Sequence, residues 1–315
     1  MASFKHEMQD RVATALGRTF SKVFRALAWR RLEMPRFNRM ADDEGFQIRS
    51  THYYEPTYRE EDLPANTAVD RPLPGIAWND ACQLALLAQF NFGDELKALP
   101  QTKPSPSAFG YVGGQYGNGD AEVYYSMVRT KKPRRIIEIG SGESTLIANL
   151  AVAANRRDDP DYRCEQICIE PYEVDWLEGT GVTVIRQVVE KIDLAIFDSL
   201  GANDILFIDS SHIIRPWGDV LREYHEIIPR LASGVLIHVH DIFSPRDYPE
   251  NWLRAERRLW NEQYLLEAFL AFNNRYEIIC ATNWLWRHHY DALANACPMS
   301  LTPKKGPSAF WFQAI

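Results

Sequence analysis

The sequence predicts an α/β protein: a seven-stranded, mostly parallel sheet with helices on both faces, preceded by an N-terminal helical and irregular extension. Three observations carry this. Short apolar runs recur from residue 136 onward with helical stretches between them, and β and α alternating in this way build a parallel sheet covered on both faces. The first run passes straight into Gly140-Ser-Gly142 and then a helical stretch. Such a strand–glycine turn–helix unit lets a ligand approach the backbone and the helix N-terminus. Finally, Glu138, Glu170, Asp209, His240 and Asp241 stand at or near the C-terminal ends of these runs, where open parallel sheets bind their ligands.

Taken in order, residues 1–40 hold nine Lys/Arg against three acids, with Val12, Leu16, Phe20, Val23 and Leu27 at helical spacing. This basic amphipathic helix is expected to pack on the body of the protein or on a second subunit, a homodimer; contact with a membrane surface is the less favoured alternative. Residues 41–76, punctuated by Pro56, Pro64, Pro72 and Pro74, predict an ordered loop or lid, with His52-Tyr-Tyr54 as its aromatic cluster. Residues 79–99 read as a helix capped by Asn79, and 121–130 as another after the Gly- and Tyr-rich stretch 110–119. The division expected is 1–40, 41–119 and 120–315.

Strands are expected at 136–139, 166–170, 182–186, 205–209, 234–241, 276–280 and 308–315. Helices are expected at 144–154 with Ser144 as N-cap, at 218–228, and at 255–272 with Trp260, Leu265, Leu266 and Phe269 inward. Residues 282–307 read as irregular, with His288 and His289 on a loop surface.

A net charge of −7 argues against bulk attraction to nucleic acid. Five cysteines without a CxxC pair predict reduced thiols in a cytoplasmic protein. No stretch is long enough to span a bilayer, and no secretory leader is expected. The turn lacks the third glycine of a dinucleotide fingerprint, position 145 being Thr. Glu138 stands inside the first strand, where a carboxylate is costly unless hydrogen-bonded. It either caps the turn's own amides or meets a cationic or hydroxylated ligand.

From about residue 120 to 315 the chain resembles a class I S-adenosylmethionine-dependent methyltransferase. The resemblance rests on Glu138-Ile-Gly-Ser-Gly142, on Glu170 and on a last strand entered through Gly306-Pro-Ser308. More narrowly, Ile208-Asp-Ser-Ser-His212 and His238-Val-His-Asp-Ile-Phe243 resemble a bacterial branch similar to metal-dependent O-methyltransferases of sugars and natural products. The resemblance implies a Rossmann-like sheet. It implies that Gly140, Ser141, Gly142 and Ser144 approach the methionine end of the cofactor, Glu170 binds the ribose hydroxyls, and Gln187 and Val188 flank the adenine. Asp120 and Glu138 would meet the cofactor's ammonium, and Asp209 would also contact it.

The chemistry is expected at the fourth and fifth strand ends. Two carboxylates and an imidazole, Asp209, His240 and Asp241, suit one divalent metal (Mg, Mn, Fe or Zn). His240 stands where the sugar enzymes carry a second carboxylate, which shifts the preference toward iron, zinc or manganese. His212 would be the general base, with Asp209 and Asp241 as catalytic partners. The metal-free alternative is a His240–Asp241 acid/base pair, and Asp209-Ser-Ser-His212 can also be read as a polar turn capping the next helix. His238 reads as a satisfied core histidine; Arg215, Asp247 and Tyr248 are candidate acceptor contacts. The expected activity is O-methylation of a small-molecule or saccharide hydroxyl. Methylation of carbon or nitrogen, or a non-catalytic cofactor-binding scaffold, are the alternatives.

Overall fold

The apolar runs form one sheet of seven strands, β1 (Arg135–Ile139), β2 (Glu165–Ile169), β3 (Thr183–Ile185), β4 (Ile205–Ile208), β5 (Leu236–Val239), β6 (Tyr276–Ala281) and β7 (Phe310–Ala314). Their order is β3-β2-β1-β4-β5-β7-β6, with only β7 antiparallel to its neighbours. The order reverses between β1 and β4, so the crevice at their C-terminal ends lies open to a ligand.

The computed structural model describes residues 2–172 and 174–315, so position 1 of the predicted basic segment lies outside them. Two compact units divide the chain, residues 1–66 and 67–315. In the first, α1 (Ala2–Trp29) and α2 (Pro35–Asp43) precede an irregular stretch. Within that stretch Glu55 accepts bonds from Arg31 and Arg49, and the rings of His52, Tyr53 and Tyr54 pack together. On the stripe of α1, Val12, Leu16, Phe20 and Val23 are about half exposed.

In the second unit the strands' two-residue period sorts side chains between two cores. Ile136 and Phe207 join Tyr124, Ile147 and Trp311 on one face. Ile137, Ile139, Leu206 and Ile208 join Tyr224, Ile227 and Leu266 on the other. Helices α5 (Asp120–Lys131) and α6 (Glu143–Asp158) cover the first face; α7 (Asp219–Arg222), a following π turn (Glu223–Ile227) and α9 (Glu262–Leu270) cover the second.

Four local expectations change. The single helix at 79–99 is two, α3 (Asp80–Leu87) and α4 (Gly93–Ala98), and Asn79 takes a left-handed φ of 55° without capping through its side chain. Helix α6 begins at Glu143, with Gly142 rather than Ser144 as its N-cap. The helix at 255–272 is shorter: α8 (Glu250–Arg254) ends early and α9 starts at Glu262. Its first amides, Asn261 N and Glu262 N, donate to His212 O at 3.0 and 3.2 Å, so a distant loop carbonyl sets where the helix starts. Residues 282–307 contain α10 (Thr282–His288) and α11 (Tyr290–Ala296). Trp284 stacks on Trp78, while His288 and His289 meet Asp70 and Asp80 at 3.1 and 3.0 Å rather than standing loose on a loop.

Candidate active site

A cavity of about 1030 Å³ opens at the C-terminal ends of β1, β2, β4 and β5. That matches the upper end of the ~300–1,000 Å³ typical of small-molecule pockets. Asp120, Gly140, Ser141, Gly142, Ser144, Glu170, Asp209, His212, His240 and Asp241 all line it. Most of the sequence-predicted residues thus converge, whereas Glu138, Gln187, Val188 and Arg215 do not line the cavity.

Gln187 is exposed and does not line the cavity, because β3 ends at Ile185 and the chain turns away. Glu138 is sealed beneath the turn. Its carboxylate accepts bonds from Tyr124 Oη at 3.0 Å, from the Thr145 hydroxyl and from Cys168 Sγ at 3.5 Å. Thr145 Oγ1 in turn accepts from Gly142 N at 3.3 Å. Glu138 therefore supports the glycine turn through Thr145 instead of meeting a ligand's ammonium. Burial pushes its carboxyl up to about 7, against those hydrogen bonds.

The turn requires glycine at 140. Its φ is +77°, and a Cβ there would fall onto the Asp209 carbonyl oxygen, so β1 and β4 touch at this point. Ser141 N donates to Glu170 Oε2 at 3.2 Å and Tyr172 N to Glu170 Oε1 at 3.0 Å. The acid closing β2 is thus oriented by backbone amides beside the turn. Glu143, absent from the sequence-derived set, accepts from Gln115 N and Lys103 Nζ, both at 2.5 Å. It clamps the Gly- and Tyr-rich stretch over the start of α6, and its place right after Gly142 was the available signal.

Asp120 is buried, and its carboxylate takes Thr282 Oγ1 and the amides of Ser308 and Ala309 at 2.8–3.0 Å. This ties the start of α5 to the entry of β7 and leaves Asp120 at the cavity wall with its oxygens already engaged. Burial raises its carboxyl against the opposing pull of His240 and these bonds.

His212 differs from a free base. Its Nε2 donates to Asp209 Oδ1 at 3.1 Å and its Nδ1 to Glu262 Oε2 at 2.9 Å, and Trp260 covers the ring at 4.3 Å. Burial opposes its charge, but the two carboxylates outweigh it and hold the imidazolium well above the ordinary histidine range. Both nitrogens carry protons, so neither has a lone pair for an acceptor's proton. Asp209 titrates near 2: burial raises it, and the charges of His240 and His212 and the His212 bond pull it down further. Glu262, fifty residues downstream, lies in the stretch 261–266, which also resembles the bacterial branch, but the sequence assigns it no role.

His240 is buried at the cavity wall, with its Nε2 3.8 Å from Asp241 Oδ1 and its Nδ1 without a hydrogen-bond partner. Burial disfavours its charge, yet Asp209, Asp241 and Asp120 raise its pKa above the ordinary value. Asp241 and His212 both hold left-handed φ, 54° and 59°, a strain that clusters at functional sites. His238 is in the core as expected but not satisfied: both ring nitrogens lack hydrogen-bond partners, and Phe207 stacks on it at 4.1 Å.

Asp209, His240 and Asp241 are not drawn together as a ligand set in this structure. Among the described residues no three His, Cys, Asp or Glu side chains are grouped to hold an ion. Asp209 is bonded to His212 and Asp241 accepts from Ser308 Oγ at 2.9 Å, so the carboxylates are turned to other partners. Phe243, Tyr248, Trp252 and Trp260 also line the cavity and pack against one another, and Arg258 lies over the two indoles at 4.0 and 4.6 Å. Asp247 and Tyr248 line the cavity as expected; Arg215 does not, and faces Asp219 and Glu190 instead.

Residues 137–242 match a family model described as a methyltransferase domain. A protein of Archaeoglobus fulgidus, described as uncharacterized, is 30% identical over 167 residues, covering 49% of this chain and 74% of that protein. Among solved structures, an O-methyltransferase from Bacillus cereus in complex with SAH is 12% identical, covering 73% of this chain and 91% of that one at a TM-score of 0.37. The O-methyltransferase TomG from Streptomyces achromogenes, in complex with SAM, is 14% identical, covering 76% and 91% at a TM-score of 0.38. With the domain match spanning β1 to the end of β5, the chain belongs to one family with the archaeal protein and carries a methyltransferase domain.

Proposed function

We propose that the enzyme moves the methyl group of S-adenosylmethionine to a hydroxyl of a small-molecule or saccharide acceptor, with His240 and Asp241 taking the acceptor's proton. One observation carries this reading. His240 and Asp241, at the end of β5, line the same cavity as the glycine turn and Glu170. S-adenosylmethionine, when bound, supplies a methyl made electrophilic by a positive sulfur.

Gly140 to Gly142 admit the cofactor against the backbone, and Glu170 offers two oriented acceptor oxygens to its ribose. Val174 and Trp176 form an apolar wall beside them. The aromatic wall of Tyr248, Trp252 and Trp260 suits the apolar face of a sugar or ring acceptor. His240 Nε2 receives the hydroxyl proton as the O–CH₃ bond forms, and the S–CH₃ bonding pair stays on sulfur. Asp241 stabilises the resulting imidazolium. His212 keeps Asp209 ionised and fixed, a positioning role. Among the described residues no three His, Cys, Asp or Glu side chains are grouped to hold an ion, and the proposed step runs through His240 and Asp241 alone.

The test uses purified enzyme, S-adenosylmethionine and a panel of hydroxylated acceptors, with product masses read by fragmentation. His240→Ala should lower turnover by roughly 10²–10⁴-fold, the usual contribution of a general base, while calorimetry shows cofactor affinity preserved. Wild-type kcat/KM should rise with pH through an apparent pKa above 6.5, since the base works only when neutral and its pKa is raised. Undiminished turnover in the variant would remove His240 from the mechanism. A methyl found on carbon or nitrogen would overturn the hydroxyl assignment.

A further inference from the structure

Helix α1 spans 28 residues, on the order of 42 Å at 1.5 Å per residue. Met8, Val12, Leu16, Phe20, Val23 and Phe24 are each 44–55% exposed. At 3.6 residues per turn they cover one face about 160° wide. Arg18, Lys22 and Arg25 fall within about 60° on the opposite side. None of the three makes an ion pair among the described residues, whereas Glu7 on that side is taken up by Arg11 at 2.7 Å. Apart from Lys5, which falls within the apolar arc, cationic groups and apolar side chains of α1 are thus segregated, in a chain whose net charge is −7.

We propose that α1 is an interfacial helix that lies flat on an anionic membrane surface. Its apolar face would enter the headgroup–acyl boundary while the cations meet lipid phosphates. Three features select this occupant. No helix of the described residues is long and apolar enough to cross a membrane, so α1 lies on a bilayer and does not span it. The apolar positions 8, 12, 16 and 20 are four apart. Leu16, Phe20, Val23 and Leu27 follow a three-four spacing, but the exposed apolar positions together cover about 160°, broader than the narrow seam with which two helices would pair. A second copy would bring the same cations, while its α1 offers only Glu7 and Asp10 as acids, with Glu7 already held by Arg11. Nucleic acid would answer the cations but leave the apolar face in water.

Vesicle flotation of the full chain tests this, with phosphatidylcholine alone and with added phosphatidylglycerol. The wild type should float with the phosphatidylglycerol vesicles, weakly or not at all with phosphatidylcholine, and less as salt is raised. The triple variant R18E/K22E/R25E should lose about a hundred-fold or more in partitioning, at about five-fold per basic residue near the surface. L16S/F20S should also lose binding. All five side chains are exposed, and circular dichroism together with unchanged cofactor affinity establishes that both variants are folded. Wild-type protein that stays unbound on phosphatidylglycerol vesicles overturns the proposal. So does a dimer seen by light scattering that L16S/F20S abolishes, because the stripe is then a subunit seam.

Discussion

Glu138 shows how one residue can be necessary without touching the ligand. Its carboxyl titrates near 7 in the folded chain against an ordinary 4.5. The native state therefore holds a proton that the unfolded chain releases between those values. Stability is fullest below pH 4.5 and falls as pH rises to 7, by on the order of 3 kcal/mol. Glu138→Gln should flatten that slope when denaturant midpoints are compared at pH 5 and pH 8. An equally steep slope in the variant would assign it to another group. His212 slopes the same way, but through its charged form instead of its neutral one. Its raised pKa means that its charge stabilises the fold below the ordinary histidine pKa, and that this is lost as pH rises through the folded value. His212→Gln leaves Glu262, fully buried, without its cation. A loss of roughly 3–5 kcal/mol is expected from urea melts, the cost of breaking a buried pair.

Among the elements, the turn joining β1 to α6 is the most constrained. Gly140 combines a left-handed φ with direct backbone contact to β4. Gly140→Ala should cost more than the ~1 kcal/mol of an unfavourable φ alone, because β1 and β4 must separate, and the Ser141 amide would leave Glu170. Thermal shift with and without S-adenosylmethionine would show a lower midpoint and a lost ligand response. A normal ligand response would mean that the turn does not set the cofactor site. The start of α9 shows the same dependence on distant contacts. Residues 255–261 have helical composition, yet Arg257 takes a φ of 50° and Arg258 stacks on two tryptophans, which delivers Trp260 onto His212.

On the scale of the whole molecule, the catalytic reading uses one acid/base pair, His240 and Asp241 at the end of β5, and routes no step through a metal. Exhaustive chelation should leave turnover unchanged, and added magnesium, manganese or zinc should not raise it. A chelator-sensitive rate restored by one metal would bring Asp209, His240 and Asp241 back as ligands. The cavity and all its catalytic candidates belong to the unit of residues 67–315, while the helix proposed to meet lipid belongs to residues 1–66. Methyl transfer and surface attachment are thus separable in experiment.

The sequence by itself determined the sheet, its strand ends and the turn at Gly140–Gly142, because apolar periodicity and glycine act locally and leave a local trace. It also pointed to Glu170, Asp209, His240 and Asp241, since ligands collect where parallel strands end. Tertiary structure decided what those groups can do. Whether His212 is a base depends on Glu262, and whether Glu138 reaches a ligand depends on Tyr124, Thr145 and Cys168 closing around it. Proton affinity is set by burial and by charges a few ångströms away in space, and such neighbours come from residues far apart in the chain.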